Sequence, residues 1–451
     1  MFFFIVYSFL LSGKTKLQNC FILIASYYFY GVVDWRMDIL LLSVSAFYYG
    51  IGIAIEKYKK KSLVTFGIML AIGLLLYFKY LGFFVSQILS ITKKVGWSLD
   101  EPTLKIVLPI GISFYLFKLI SYIIEIYRGR MSVCYDFVAF AAYVAFFPTV
   151  MSGPIDRPNK FIPQLQNKRI FDANLAVEGL FQITWGLFLK MCIADRINQY
   201  VTAVYDNIPN HNGLTILLAI LLYSLQIYAD FAGYSEMSIG IGKMMGFSVM
   251  KNFDYPYFAR NVGEFWRKWH ISLTSWLTEY IYIPLGGNRK GRFRTIFNTL
   301  VVFSLCGLWH GAGWTFVLWG FINGCLFIPN LLKTHPTKYK GMPFYFDFKT
   351  LINVFLTYLA ISFCWVIFRE QSLTNIANIL SGLLTSWGKP FGDWMYFVVV
   401  MPIFFVHEFH HGLGRFQIFN RIPVEVKIAI YILMCLIVGV YNSNQFIYFQ
   451  F

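Results

Sequence analysis

Long apolar runs alternate with short polar segments along the whole chain. The runs fall at 1–11, 17–33, 36–54, 63–90, 104–127, 134–151, 174–194, 213–232, 270–285, 294–310, 312–332, 350–368, 392–406 and 425–441. Each predicts a helix. Several reach the roughly 20 residues that a bilayer crossing needs, and others are too short or too broken. No repeat period and no low-complexity tract interrupts the pattern, so it predicts one all-α, polytopic integral-membrane domain over 1–451.

The polar segments are mostly basic, and they orient the runs. Clusters at 57–62, 128–130, 157–169, 267–294, 333–349 and 415–427 are assigned to the cytoplasm, while the base-poor loops 195–212 and 370–391 go outside. This assignment leaves two runs with bases on both flanks. The run 270–285 lies between clusters at 251–268 and 288–294, and 134–151 lies between two basic loops. Both are expected to dip into the membrane and return. Backbone of that kind is tolerated only where protein or a water-filled cavity satisfies it, so the pattern also predicts an internal cavity.

Composition agrees. Of 451 residues, 58% are hydrophobic, 20% aromatic and only 13% charged, against about 25% charged in a soluble domain. The formal charge of +16 would suggest nucleic acid in a soluble protein. Here the bases sit in loops between spans, where they fit topology, anionic headgroups or a polyphosphorylated donor such as a coenzyme A thioester, and no nucleic acid is expected. The seven cysteines are scattered without a CxxC pair, so neither a disulfide framework nor a metal site is expected. The opening MFFFIVYSFLL lacks the features of a cleaved leader and is short for a span.

Candidate chemistry centres on SLCGLWHGAGWTFVLWGFING (304–324). His310 stands there within a stretch, Phe293 to Pro329, that has no carboxylate. An ionisable ring at membrane depth is costly and tends to line a cavity and carry function. Imidazole is also the side chain that takes and returns a proton near neutral pH. Trp309, Trp314 and Trp319 are placed to wall a slot around it. His270 sits forty residues earlier, where the polar segment around RKWH turns apolar. By itself it reads as an interface histidine.

Other constellations are weaker. Lys118 and Glu125 share a helix face, as a buried ion pair or with Glu125 beside Arg128. Asp156-Arg157 reads as a loop-capping pair after the Gly153-Pro154 turn. Asp230 and Glu236 lie on a helix read as broken at Gly233, Gly240 and Gly242. Asn261 or Gly263 begins a helix with Glu264 in its first turn, and Arg260, Arg267 and Lys268 are able to grip phosphate. EFHH (408–411) mimics a metal site, but adjacent residues point to different helix faces, and a solvated cluster is expected.

Taken together, LPIGISFYLFKLISYIIEIYRG (108–129), FFPTVMSGPIDRP (146–158), GLFLKMCIADR (186–196), QIYADFAGYSEMSIGIGKMMGF (226–247), FWRKWHISLTSWLTEYIYIPLGGNRKG (265–291), GLWHGAGWTFVLWG (307–320), WVIFRE (365–370) and the ending NQFIYFQF (444–451) resemble the membrane-bound O-acyltransferase family. The resemblance is to its bacterial branch, which includes the membrane subunit of alginate O-acetylation. It covers 101–451 as the family core, with 1–100 as peripheral N-terminal helices matching only in hydropathy.

The resemblance implies about 11–13 helices plus re-entrant segments around a central channel. It implies His310 as the catalytic histidine and His270 as the second one. His310 would act as a general base or as the acylated group itself. Asn261, Arg267, Arg289, Trp309 and Trp314 are the accompanying substrate-binding candidates. No tightly bound cofactor is expected; acetyl-CoA or another acyl thioester is the donor. The implied partners are a secreted or membrane-anchored acetyltransferase and a cell-envelope polysaccharide acceptor, at the bacterial plasma (inner) membrane. Two other readings stay open. One is D-alanyl transfer to teichoic acid; the other is transport of an acyl donor or polymer without chemistry.

Overall fold

A computed structural model describes residues 2–96, 107–332, 347–370, 372–385, 387–392, 395–413 and 421–441. The terminal NQFIYFQF and most of the basic segment 333–349, with His335, lie outside the described residues. Those described are helical, with no strand among them. Six helices among them are long and apolar enough to cross a bilayer: Trp35–Tyr58, Lys61–Lys94, Ala173–Tyr205, Gly213–Met244, Trp314–Leu332 and Phe348–Arg369. The chain is a multi-pass, all-α membrane protein.

The chain packs as two compact units, Met1–Leu180 with Ser238–Met250, and Phe181–Met237 with Lys251–Phe451. In the first unit, Phe137–Ala145 has only 9 residues, about 13 Å of helix, and cannot cross a hydrocarbon core of about 30 Å. Glu125 takes Arg128 and Arg130, each at 3.5 Å, while Lys118 turns away to the Thr149 hydroxyl at 2.9 Å. Asp156 is buried and accepts the Met250 amide at 2.9 Å, where a membrane-edge loop pair was expected.

In the second unit, the segment read as re-entrant forms Ile271–Leu277 followed by a wider π-type turn, Thr278–Tyr282. At 1.5 Å per residue this too is far shorter than a span.

The expected helix break is absent. Gly213–Met244 runs unbroken through its glycines. Gly233 serves close approach: a Cβ there would meet the backbone of Gly186 on the neighbouring helix. Asp230 and Glu236 have separate structural partners. Asp230 binds Lys190 at 2.7 Å, which also holds Asp195 at 2.9 Å, and Glu236 accepts from Gln182 at 2.9 Å.

The EFHH segment is partly buried where a solvated cluster was expected: Glu408, His410 and the preceding His407 are buried, while His411 is exposed. His407 stacks on Trp185 and meets the Tyr431 hydroxyl at 2.8 Å, and Glu408 accepts from the Tyr228 hydroxyl at 3.1 Å. Its partners come from distant helices, and they replace the water that the segment would otherwise need.

Candidate active site

His310 is the last residue of the helix Gly291–His310, which returns through a short bend into Trp314–Leu332. The two helices touch backbone to backbone. A Cβ on Gly307 would strike the Phe316 carbonyl, and one on Gly320 would strike the Phe303 carbonyl. Small residues allow this approach, as in other membrane helix pairs. The contact brings Trp319 edge-to-face onto the His310 ring at 5.4 Å.

Trp309, next in the chain, meets the same ring at 4.9 Å, and Phe368 from Phe348–Arg369 meets it at 5.4 Å. Only 6% of His310 is exposed, so the ring is enclosed.

His270 approaches from the other side. It stands at the N-terminus of Ile271–Leu277 with a left-handed backbone, φ 44° and ψ 52°. Residues other than glycine take this conformation infrequently, though histidine does so more than most. The flanks hold it. The Ile271 amide donates to the Asn252 carbonyl at 2.8 Å and the Asp254 amide to the Lys268 carbonyl at 3.0 Å. The Asn252 side chain accepts from Ser272 at 2.6 Å and donates to Ser235 at 3.0 Å. The His270 ring packs edge-to-face on Phe231 at 4.7 Å and lies 6.0 Å from Trp309. Its centroid is 6.3 Å from that of His310. Burial among these rings holds the His270 imidazole well below the usual histidine range, in its neutral form.

Two histidines forty residues apart thus converge in one aromatic box. A neutral imidazole is able to accept a proton from a hydroxyl at its unprotonated nitrogen. A second ring with its centre 6.3 Å away is placed to orient or polarise a reacting group. The aromatic walls exclude bulk water.

The other sequence candidates are spread out. Trp309 is in the box. Trp314 is 67% exposed, and Trp319 takes the wall position instead. Asn261 caps Val262–Lys268, accepting the Glu264 amide at 2.9 Å. Arg267 is exposed at the C-terminal end of that short helix. Arg289 is exposed just before Gly291–His310, roughly 30 Å along the helix from His310.

Sequence reasoning missed Asn252 and Phe368. Phe368 lies in a quoted motif, WVIFRE, but Asn252 shows no sequence signal beyond being polar between apolar runs.

Comparison with known proteins bears on this constellation. The family model described as MBOAT, membrane-bound O-acyltransferase family, matches residues 129–370, which include both histidines. The probable alginate O-acetylase AlgI of Pseudomonas putida is 37% identical over 396 residues, covering 85% of this chain and 77% of the relative. The peptidoglycan O-acetyltransferase of Helicobacter pylori is 32% identical over 395 residues, covering 80% and 73%. The teichoic acid D-alanyltransferase of Bacillus subtilis is 28% identical over 272 residues, covering 58% and 69%. With a multi-pass helical fold, a buried histidine pair and a match of this extent, the chain is an acyltransferase that belongs to the membrane-bound O-acyltransferase family.

Proposed function

We propose that this protein moves an acetyl group from a thioester donor on the cytoplasmic side of the bacterial inner membrane toward an extracytoplasmic polysaccharide. The observation that carries the reading is the 6.3 Å juxtaposition of His270 and His310 within one buried aromatic box. His310 is the general base. It takes the proton of an acceptor hydroxyl while that oxygen attacks the thioester carbonyl. The new C–O bond forms, the C–S bond breaks, and the imidazolium returns its proton to the departing thiolate. His270, neutral and buried, orients the donor or polarises its carbonyl. Trp309 and Trp319 keep water out, which limits hydrolysis of the thioester.

The acetyl group is favoured over D-alanine because the O-acetylating relatives match more of this chain, at higher identity, than the D-alanyl-transferring one. The donor is acetyl-CoA or another acyl thioester. A secreted or membrane-anchored acetyltransferase completes the transfer to the polymer.

The test is chemical analysis of cell-envelope polysaccharide from cells carrying the intact protein or His310→Ala. Acetyl ester present with the first and absent with the second is expected, with the variant still in the membrane. D-alanyl ester responding in its place would favour the teichoic acid reading. Unchanged esters of both kinds would remove the assignment.

A further inference from the structure

Beside the histidine box, the second unit holds a separate cavity of about 260 Å³. Its wall is mostly apolar, formed by Trp266, Leu277, Val302, Phe303, Phe327 and Leu331, but Arg267 and Tyr282 also line it. Three threonines also line it, yet their hydroxyls are turned back on the chain. Thr274 donates to the Trp269 carbonyl at 3.2 Å, Thr278 to Thr274 at 2.7 Å and Thr299 to Thr295 at 2.8 Å. What they present to the cavity is largely methyl. Such a slot suits a hydrocarbon chain. An amide-bearing arm carries several polar groups and, apart from Arg267 and Tyr282, would find few partners there, at a desolvation cost.

The rim faces outward. Ile283 and Leu332, next in the chain to the lining residues Tyr282 and Leu331, are exposed apolar side chains. Ahead of the lining residue Thr299 in the chain, the turn into Gly291–His310 and its first residues carry Arg289, Lys290, Arg292 and Arg294, all exposed. No carboxylate among the described residues pairs with any of the four; the Arg294 guanidinium lies over the Phe297 ring at 5.3 Å. Arg294 and the lining residue Thr299 are five residues apart on one helix, roughly 8 Å. An exposed cationic cluster that close to an apolar slot matches a phosphate headgroup and its chain.

We propose that this cavity binds one acyl chain of an anionic phospholipid, with the headgroup phosphate held by the 289–294 cluster. The proposal does not depend on which acyl group the enzyme transfers. It also ties lipid occupancy to the site, because Cys306 lines the cavity one turn before His310.

The experiment uses the full chain reconstituted in nanodiscs of equal phosphatidylglycerol and phosphatidylcholine. Retained lipid is read by native mass spectrometry after release. The unaltered protein is expected to retain phosphatidylglycerol several-fold over phosphatidylcholine. Val302→Trp fills the slot and is expected to lower total retained lipid several-fold. The exposed pair Arg292→Gln with Arg294→Gln is expected to bring the two lipids toward parity. Equal retention of both lipids by the unaltered protein overturns the proposal, and that result needs no variant to fold. So does unchanged retention in a folded Val302→Trp protein, above all if that variant instead raises KM for the thioester and so marks the slot as the donor's.

Discussion

His310 and His270 face each other across 6.3 Å, one at the end of a long helix and the other at the start of a short one. The two rings are tilted by 55° and are near enough to act on one group. If the two rings act on one reacting centre, their removal is not additive. His310→Ala is expected to lower acetyl transfer about 10²–10⁴-fold, the usual worth of a positioned general base. His270→Ala should cost less, and the double variant no more than His310→Ala alone. Turnover of purified protein with acetyl-CoA and a soluble acceptor measures all three. Fully multiplicative losses would show that the histidines work apart.

Gly320 is the contact on which the histidine's position depends. A methyl group there meets the Phe303 carbonyl on the neighbouring helix, and backbone has nowhere to yield cheaply. Gly320→Ala is expected to destabilise the protein by about 1–3 kcal/mol, the usual cost of overpacking. Transfer should fall with it, because Trp319 and His310 separate. Thermal unfolding in detergent, alongside activity below the melting point, tests this. A variant with unaltered melting and turnover would mean that the helices are free to shift.

Asn252 holds His270 in place without touching substrate. Its side chain joins Ser235 to Ser272, and its carbonyl takes the Ile271 amide. Asn252→Ala leaves the carbonyl but removes the amide that links the Ser235 and Ser272 hydroxyls. Turnover is expected to fall at least tenfold, with KM for the donor little changed and the protein still folded. Asn252→Asp keeps the acceptor toward Ser272 and should recover part of the loss. A change in KM alone would assign the residue to binding.

His270 also predicts a dependence of stability on pH. Its folded form is held down to about 3 by burial, while in the unfolded chain it titrates near 6.5. Below about 6.5 the unfolded chain therefore binds a proton that the folded chain refuses. The contribution is complete above that pH and is lost as pH falls toward 3, by up to about 1.4 kcal/mol per unit. His270→Gln removes it. Melting temperatures between pH 7 and pH 4.5 should decline less steeply in that variant than in the unaltered protein. Parallel declines would show that His270 is protonated in the fold.

Much of this was legible in residue order. The apolar runs 294–310, 312–332 and 350–368 became Gly291–His310, Trp314–Leu332 and Phe348–Arg369 almost residue for residue. Hydrophobic length is what a bilayer selects, so it survives in one dimension. The shortness of 270–285 was legible too, from the bases on both sides of it.

What sequence hid was tertiary. Gly233 looked like a helix breaker, because its use, admitting another backbone, needs the partner Gly186 to be seen. His407 and Glu408 looked solvated, because Tyr431, Trp185 and Tyr228 come from other helices. The strained backbone of His270 has no local signature at all, since Asn252 and Ser235 impose it.

The glycine-locked pair of helices has one more consequence. With carbonyls pressed against carbon at Gly307 and Gly320, neither rod can slide or tilt without dragging its mate. The base at the tip is therefore a stationary post. Donor and acceptor must both be brought to it, since the base does not travel to meet either.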